Sequence, residues 1–248
     1  MGDSDDGARR KGHGFRYEEL VIVLVFLRCV RKQLSDFAIH SDSLDAGKFD
    51  DVVVTWNGSQ DKHSLLVQVK HKTSGVIRRG DLFSEGDNKP DFNIRRYEAS
   101  YRTIKWGLGG RQYALVISTN LALHENALDC FCVRQAKSVV GADLLHTGGS
   151  IYQLNPKEVT FDSDFMNHFF MFCSQKGVNE MRDAICAELK QLLGSPGDDK
   201  INNAFEELCK CVEKWKDRQC KNPERLTSSW SEWEDIENRY KSSLCTIL

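Results

Sequence analysis

Residues 20–27 read Leu-Val-Ile-Val-Leu-Val-Phe-Leu, an unbroken apolar run inside a stretch, residues 15–34, that contains no Gly or Pro. Acids open the stretch at Glu18 and Glu19, and Arg28, Arg31 and Lys32 close it, which is the charge asymmetry a helix dipole favours. The pattern predicts a mostly buried first helix. The β-branched Val21, Ile22, Val23 and Val25 leave a short strand as the alternative for its middle. Eight apolar residues followed by Arg28 fall far short of the roughly 20 that a bilayer span requires, so a soluble chain with no membrane partner is expected.

Further along, residues 37–40 form a short apolar strand candidate, followed by a loop rich in Ser, Asp and Gly that ends at Gly47. Residues 52–56 and 65–70 are apolar at consecutive positions and flank Asn57-Gly58, a strong turn signal. They predict a hairpin whose arms are buried on both faces. A polar loop covers roughly 73–91. Ile94, Tyr97, Tyr101, Ile104 and Lys105 recur at threes and fours, predicting a helix over 92–106 that ends at Gly107. Residues 113–118 are the next buried strand and 151–154 a further short one. The order is helix, three strands, helix, strand. It predicts an α/β fold with a mixed central β-sheet flanked by helices.

The pattern changes beyond residue 176. Residues 181–193 are amphipathic, Gly194-Ser195-Pro196-Gly197 breaks them, and 201–217 and 230–243 carry helical spacing with interleaved charge. The organisation expected is therefore a disordered polar segment at 1–14, a main domain at 15–175 and a C-terminal helical extension at 176–248. The extension is a candidate surface for a homodimer or a partner protein.

Composition alters this picture little. A net charge of −2 over 248 residues excludes a uniformly basic coat and leaves room for a local basic groove. Nine cysteines, an odd number scattered through apolar stretches, favour reduced thiols and a cytoplasmic or nuclear setting. Cys130/Cys132 and Cys209/Cys211 are spaced C-x-C rather than the C-x-x-C of a zinc knuckle.

The hairpin carries the candidate chemistry. With Trp56 opposite His63, Asp51 faces Gln68 on one side of the sheet and Lys70 points the same way. A one-residue slip would substitute Asp50. A carboxylate, an amide oxygen and an ammonium at neighbouring points suit phosphodiester hydrolysis. The oxygens hold Mg2+ or Mn2+, and the lysine stabilises charge or orients water. Taken singly each residue has a plainer reading: Glu18 as a first-turn acid, Asp50-Asp51 as a loop end, Lys70 as a solvated strand terminus. Their conjunction in the required order is what counts.

Asp51 followed by Gln68-x-Lys70 at the end of a strand, preceded by Gly14-Phe15-x-Tyr17-Glu18-x-Leu20 opening a helix, resembles the PD-(D/E)xK nuclease superfamily. The likeness is to its restriction-endonuclease-like branch, in which Gln replaces the second acid. The deduced order is similar to that superfamily's αβββαβ core, and the stretches around Asp50-Asp51 and Gln68-Val69-Lys70 resemble N-terminal domains of large invertebrate multidomain proteins. The resemblance covers about residues 15–175. It implies that Asp51, Gln68 and the Val69 carbonyl ligate the metal, that Lys70 is catalytic and that Glu18 supplies the helix-borne acid, with Asp50 in reserve. Gln68 is neutral where many members carry an acid, and the usual Pro before the first acid is absent.

Between positions 70 and 111, ten cations stand against five acids. Lys72, Arg78, Arg79, Arg95, Arg96 and Arg102 are the candidate contacts to a nucleic-acid backbone, DNA or RNA. The expected function is a Mg2+-dependent endonuclease. The alternative is a catalytically inactive module of the same fold that binds nucleic acid or acts as a sensor or interaction domain.

Overall fold

The computed structural model describes the backbone of residues 3–85, 90–219 and 225–241, and within them the side chains from Tyr17 onward, Gln219 excepted. Lys89 of the basic run, Cys220 and Cys245 lie outside the described residues, as do the side chains of the expected disordered segment 1–14.

The first helix, α1 (Asp3–Arg31), runs through residues 20–27 without a break, so the strand alternative for its middle does not occur. Three antiparallel strands follow: β1 (Ser35–His40), β2 (Val52–Asn57) and β3 (Lys62–Lys70). The segment expected to be a plain polar loop holds β4 (Val76–Ile77) and α2 (Arg79–Phe83), ahead of α3 (Ile94–Ile104). Next come β5 (Arg111–Thr119), β6 (Ala122–Leu123), α4 (Glu125–Leu128), β7 (Phe131–Arg134), α5 (Ala142–Leu145), β8 (Ser150–Leu154), α6 (Ser163–His168) and β9 (Phe169–Cys173). The chain closes with α7 (Val178–Leu192), α8 (Asp198–Gln219), β10 (Leu226–Thr227) and α9 (Ser231–Tyr240).

Eight strands form one mixed sheet in the order β10-β1-β2-β3-β5-β9-β8-β7, with β3, β5 and β9 parallel and their other neighbours antiparallel. β4 and β6 make a separate parallel pair. The fold is thus α/β, with helices on both faces of a mixed sheet. The consecutive apolar residues of the strands divide by period two. Val52, Val54, Leu65, Val67 and Val69 pack toward α1, while Val53, Leu66, Leu115 and Ile117 pack toward α3.

The C-terminal helices are where expected, and their apolar faces are spent inside the molecule. Met181, Ile185 and Leu189 of α7, Leu208, Val212 and Trp215 of α8, and Trp233 and Ile236 of α9 share one core with α1. β10 extends the sheet beside β1. The faces that suggested a dimer or partner surface are therefore covered by the chain's own first helix.

Phe26 is the joint of this layer: its ring meets Phe37 at 5.9 Å, Trp230 at 5.4 Å and Trp233 at 5.8 Å. Phe26→Ala should lower unfolding free energy by about 3–5 kcal/mol, the range for emptying an aromatic core site. Urea denaturation reads this directly, and a loss under about 1 kcal/mol would contradict the packing described.

Candidate functional site

The hairpin register pairs Trp56 with His63 and Val52 with Val67, so Asp51 falls opposite Gln68 as the alternation requires. Gln68 Nε2 donates to Asp51 Oδ2, and the Val69 amide N–H donates to the same oxygen at 2.6 Å. Asp50 turns away. Its carbonyl accepts from the Asp42 amide at 2.8 Å, and burial raises its carboxyl pKa, with the charge of Asp42 adding to the rise. Delivery of Asp51 depends on Gly47, whose φ of +60° and contact with Ser100 leave no room for a Cβ. The loop is thereby held against α3, where Ser100 Oγ accepts from the Lys48 amide at 2.8 Å.

Lys70 ends β3, half-buried and paired through its backbone with Thr119, and its side chain makes no hydrogen bond or ion pair among the described residues. Its charge acts on Asp50, Asp51 and Asp91. The backbone just beyond is clamped by Asn120, whose amide accepts from Lys72 N at 3.0 Å and donates to Lys72 O at 2.7 Å. His71 lies against the Tyr17 ring at 4.5 Å, and Tyr17 Oη donates to the Lys176 carbonyl at 2.7 Å. These contacts place the group at the C-terminal ends of the parallel strands β3 and β5, where open α/β sheets commonly bind ligands.

Glu18 arrives from α1 in the other layer, close enough for its charge to act on Asp51. Its carboxylate is bonded by Lys216 Nζ of α8, a lysine only 4% exposed. Sequence reasoning missed Lys216, because nothing local marks a residue whose partner lies 198 positions away. Burial pushes the Asp51 carboxyl up to about 7, with the Glu18 charge adding to the rise against the Val69 N–H, Gln68 and Lys70. A buried acid beside a second acid is short of positive charge. Tyr97 of α3 borders the group, its phenol raised by burial and by the Asp51 charge.

Glu18, Asp51, Gln68, Val69 and Lys70 are thus brought together, with two adjustments. Val69 meets the site through its N–H, and Glu18 is already paired. Among the described residues the side-chain atoms of this pair left without a hydrogen bond are hard oxygens, Asp51 Oδ1 and Gln68 Oε1, which suit Mg2+ or Mn2+. Among the described residues no cluster of three or more His, Cys, Asp or Glu side chains is arranged to hold a metal, so such an ion would lean on the amide oxygen.

The expected nucleic-acid contacts divide. Lys72 pairs with Asp91 at 2.7 Å, and Arg96, reaching the Pro90 carbonyl at 3.4 Å, also acts on Asp91, so both belong to the edge of the site. Arg95 pairs with Glu85 at 3.8 Å and Arg102 with Glu98 at 3.0 Å on the outer face of α3. Arg78 precedes α2, and Arg79 is turned to Cys130 Sγ at 2.7 Å and the Phe83 ring at 5.7 Å.

The raised Asp51 pKa fixes a sign. The folded state holds its proton up to about 7 while the unfolded chain releases it near 3.8, so this group's stabilisation is full below 3.8 and is lost as pH rises through about 7. In chelator, Asp51→Asn should therefore be more stable than the parent at pH 8, by up to a few kcal/mol at ~1.4 kcal/mol per pKa unit. The difference should close toward pH 4. Denaturation midpoints at both pH values check it, and a variant less stable at pH 8 would refute the charge shortage.

No protein-family model and no curated protein matches the chain. Solved structures do, at the level of fold. The Cap4 SAVED/CARF-domain containing receptor of Acinetobacter baumannii, with the cyclic trinucleotide 3′3′3′-cAAA, aligns with a TM-score of 0.50 at 8% identity over 88% of this chain and 42% of that one. The same receptor with 2′3′3′-cAAA gives a TM-score of 0.48 at 8% identity, over 92% and 47%. This chain spans less than half the length of those receptors, and at 8% identity the first likeness shows that the fold is shared and nothing finer.

No helix among the described residues is long and apolar enough to cross a membrane.

Proposed function

We propose that this chain is a nuclease-fold module of the PD-(D/E)xK kind, which takes a nucleic-acid phosphodiester at the pocket of Glu18, Asp51, Gln68 and Lys70 and hydrolyses it with Mg2+ or Mn2+. One observation carries the reading: a buried acid short of positive charge stands near a lysine that no described acid holds. Asp51 Oδ1 and Gln68 Oε1 would hold the ion, while the Val69 N–H fixes the other Asp51 oxygen and so the plane of the carboxylate. A bound Mg2+ supplies charge neutralisation at the phosphate and acidifies its water. Lys70 Nζ donates to the phosphate oxygens as negative charge accumulates on them. Lys72 and Arg96 at the rim attract the backbone without regard to sequence.

A second reading, binding without cleavage, has its own support. Lys216 already gives Glu18 a cation, Gln68 contributes no charge, and the fold is shared with a receptor described with a cyclic trinucleotide. In this reading the module senses a nucleic-acid-like ligand, and Lys70 binds phosphate without chemistry.

Labelled single-stranded and duplex DNA, RNA and a cyclic trinucleotide, each incubated with the full chain in Mg2+, Mn2+ or chelator, separate the two. Hydrolysis predicts metal-dependent cleavage that Lys70→Ala and Asp51→Asn each reduce by about 100-fold or more. Equal rates in Lys70→Ala would remove the enzymatic assignment. Salt-dependent binding with no cleavage under either ion would establish the sensor reading.

A further inference from the structure

The α3 face of the sheet carries a second feature at the opposite end of the hairpin. A hollow of about 600 Å³ opens there, with Thr55 and Ser64 in its floor and the end of α3 as one wall. Ser64 shares its face with Gln68, four residues along β3, which is about 13 Å at ~3.3 Å per residue.

Its lining is biased toward positive charge. Arg111 and Arg225 face the hollow, against Asp45 as its lining acid, while burial and the charge of Arg225 lower the pKa of His40 and favour its neutral form. Arg111 Nη1 donates to the buried Ser64 Oγ at 3.2 Å, which steadies the guanidinium without neutralising it. Arg28, Arg95, Arg102, Arg182 and Arg239 each have a carboxylate partner, whereas Arg111 and Arg225 have none among the described residues. Two arginines left unneutralised at one cavity form an anion-binding arrangement, because the planar guanidinium matches phosphate oxygens in pairs.

The rim is apolar in an unusual way. Leu44, 97% exposed, lines the hollow, and Trp106, 85% exposed, directly precedes the lining residue Gly107 in the chain. They are the two most exposed large apolar side chains among the described residues. Lys105 Nζ sits 5.4 Å from the Trp106 ring. An open indole face interleaved with cations suits stacking of a base beside a held phosphate, the arrangement by which proteins grip single strands. An acidic peptide would use the arginines and leave the indole idle.

We infer that this hollow is a second nucleic-acid contact, in which Arg111 and Arg225 hold a phosphate of a single strand and Trp106 stacks on a neighbouring base. The identity of the ligand rests on the phosphodiester reading above; the geometry of the hollow does not.

Fluorescence anisotropy of labelled single-stranded DNA and RNA of about 12 nucleotides, measured on the full chain in a Lys70→Ala background so that no strand is cut, tests it. Trp106→Ala and Arg225→Glu should each weaken binding by about tenfold, the loss expected for one stacked base or one phosphate contact, and Arg225→Glu should also flatten the salt dependence. Both side chains are exposed, so folding should be untouched; Arg111→Glu is a third variant, read with its melting midpoint. The inference fails if the first two variants bind as their parent does, if the parent binds neither strand, or if polyglutamate displaces the strand as well as unlabelled oligonucleotide does. Absent cleavage together with weakened binding in the hollow variants would remove hydrolysis and keep the hollow. Metal-dependent cleavage whose KM those variants leave unchanged would remove the hollow and keep hydrolysis.

Discussion

Every side chain of α1 from Leu20 to Leu27 is buried, and a helix that is apolar on all sides must be covered on all sides. One flank rests on the sheet. The others need further elements, and α5, α7, α8 and α9 supply them from chain lying more than a hundred residues away. Each such side chain contributes about 1.5–3 kcal/mol on burial, so an open flank would forfeit several kcal/mol. That requirement draws residues 178–240 into the same core as the sheet.

The same requirement sets the electrostatics of the site. Once α8 lies along α1, Lys216 reaches Glu18 in a place nearly closed to water. Glu18 is satisfied there, but its charge still acts on Asp51, whose own bonds come from an amide side chain and one N–H. The remaining lysine, Lys70, acts through space without bonding. Among the described residues, then, Glu18 has a bonded cation and Asp51 has none, an imbalance that a divalent ion or a phosphate bridged to one would correct.

What the sequence disclosed follows from how local each determinant is. The hairpin register was legible because Asn57-Gly58 marks the turn and period-two alternation then leaves Asp51 opposite Gln68. β9 was not, since Phe169-Phe170-Met171-Phe172-Cys173 is apolar throughout and follows directly on α6, giving neither an alternation nor a turn to announce it. The C-terminal helices were visible by their spacing, but an amphipathic face looks the same whether it meets a partner or its own first helix. Lys216 and the Arg111/Arg225 hollow are long-range products of folding with no local signature.

Alternation also gives the α3 face a direction. Asp51, Gln68 and Lys70 stand at one end of it and Ser64 with Arg111 at the other, while α3 covers the span between through Ile94, Tyr97, Tyr101 and Ile104. At the first end Asp51 is a buried acid with no bonded cation among the described residues, and at the second Arg111 and Arg225 have no carboxylate partner among them. A ligand able to satisfy both must bring a metal ion to the first and a bare phosphate to the second, which is what a nucleic-acid strand carrying its counterions does. The asymmetry of this one sheet face is thus a stronger guide to ligand class than the near-zero net charge of the whole chain.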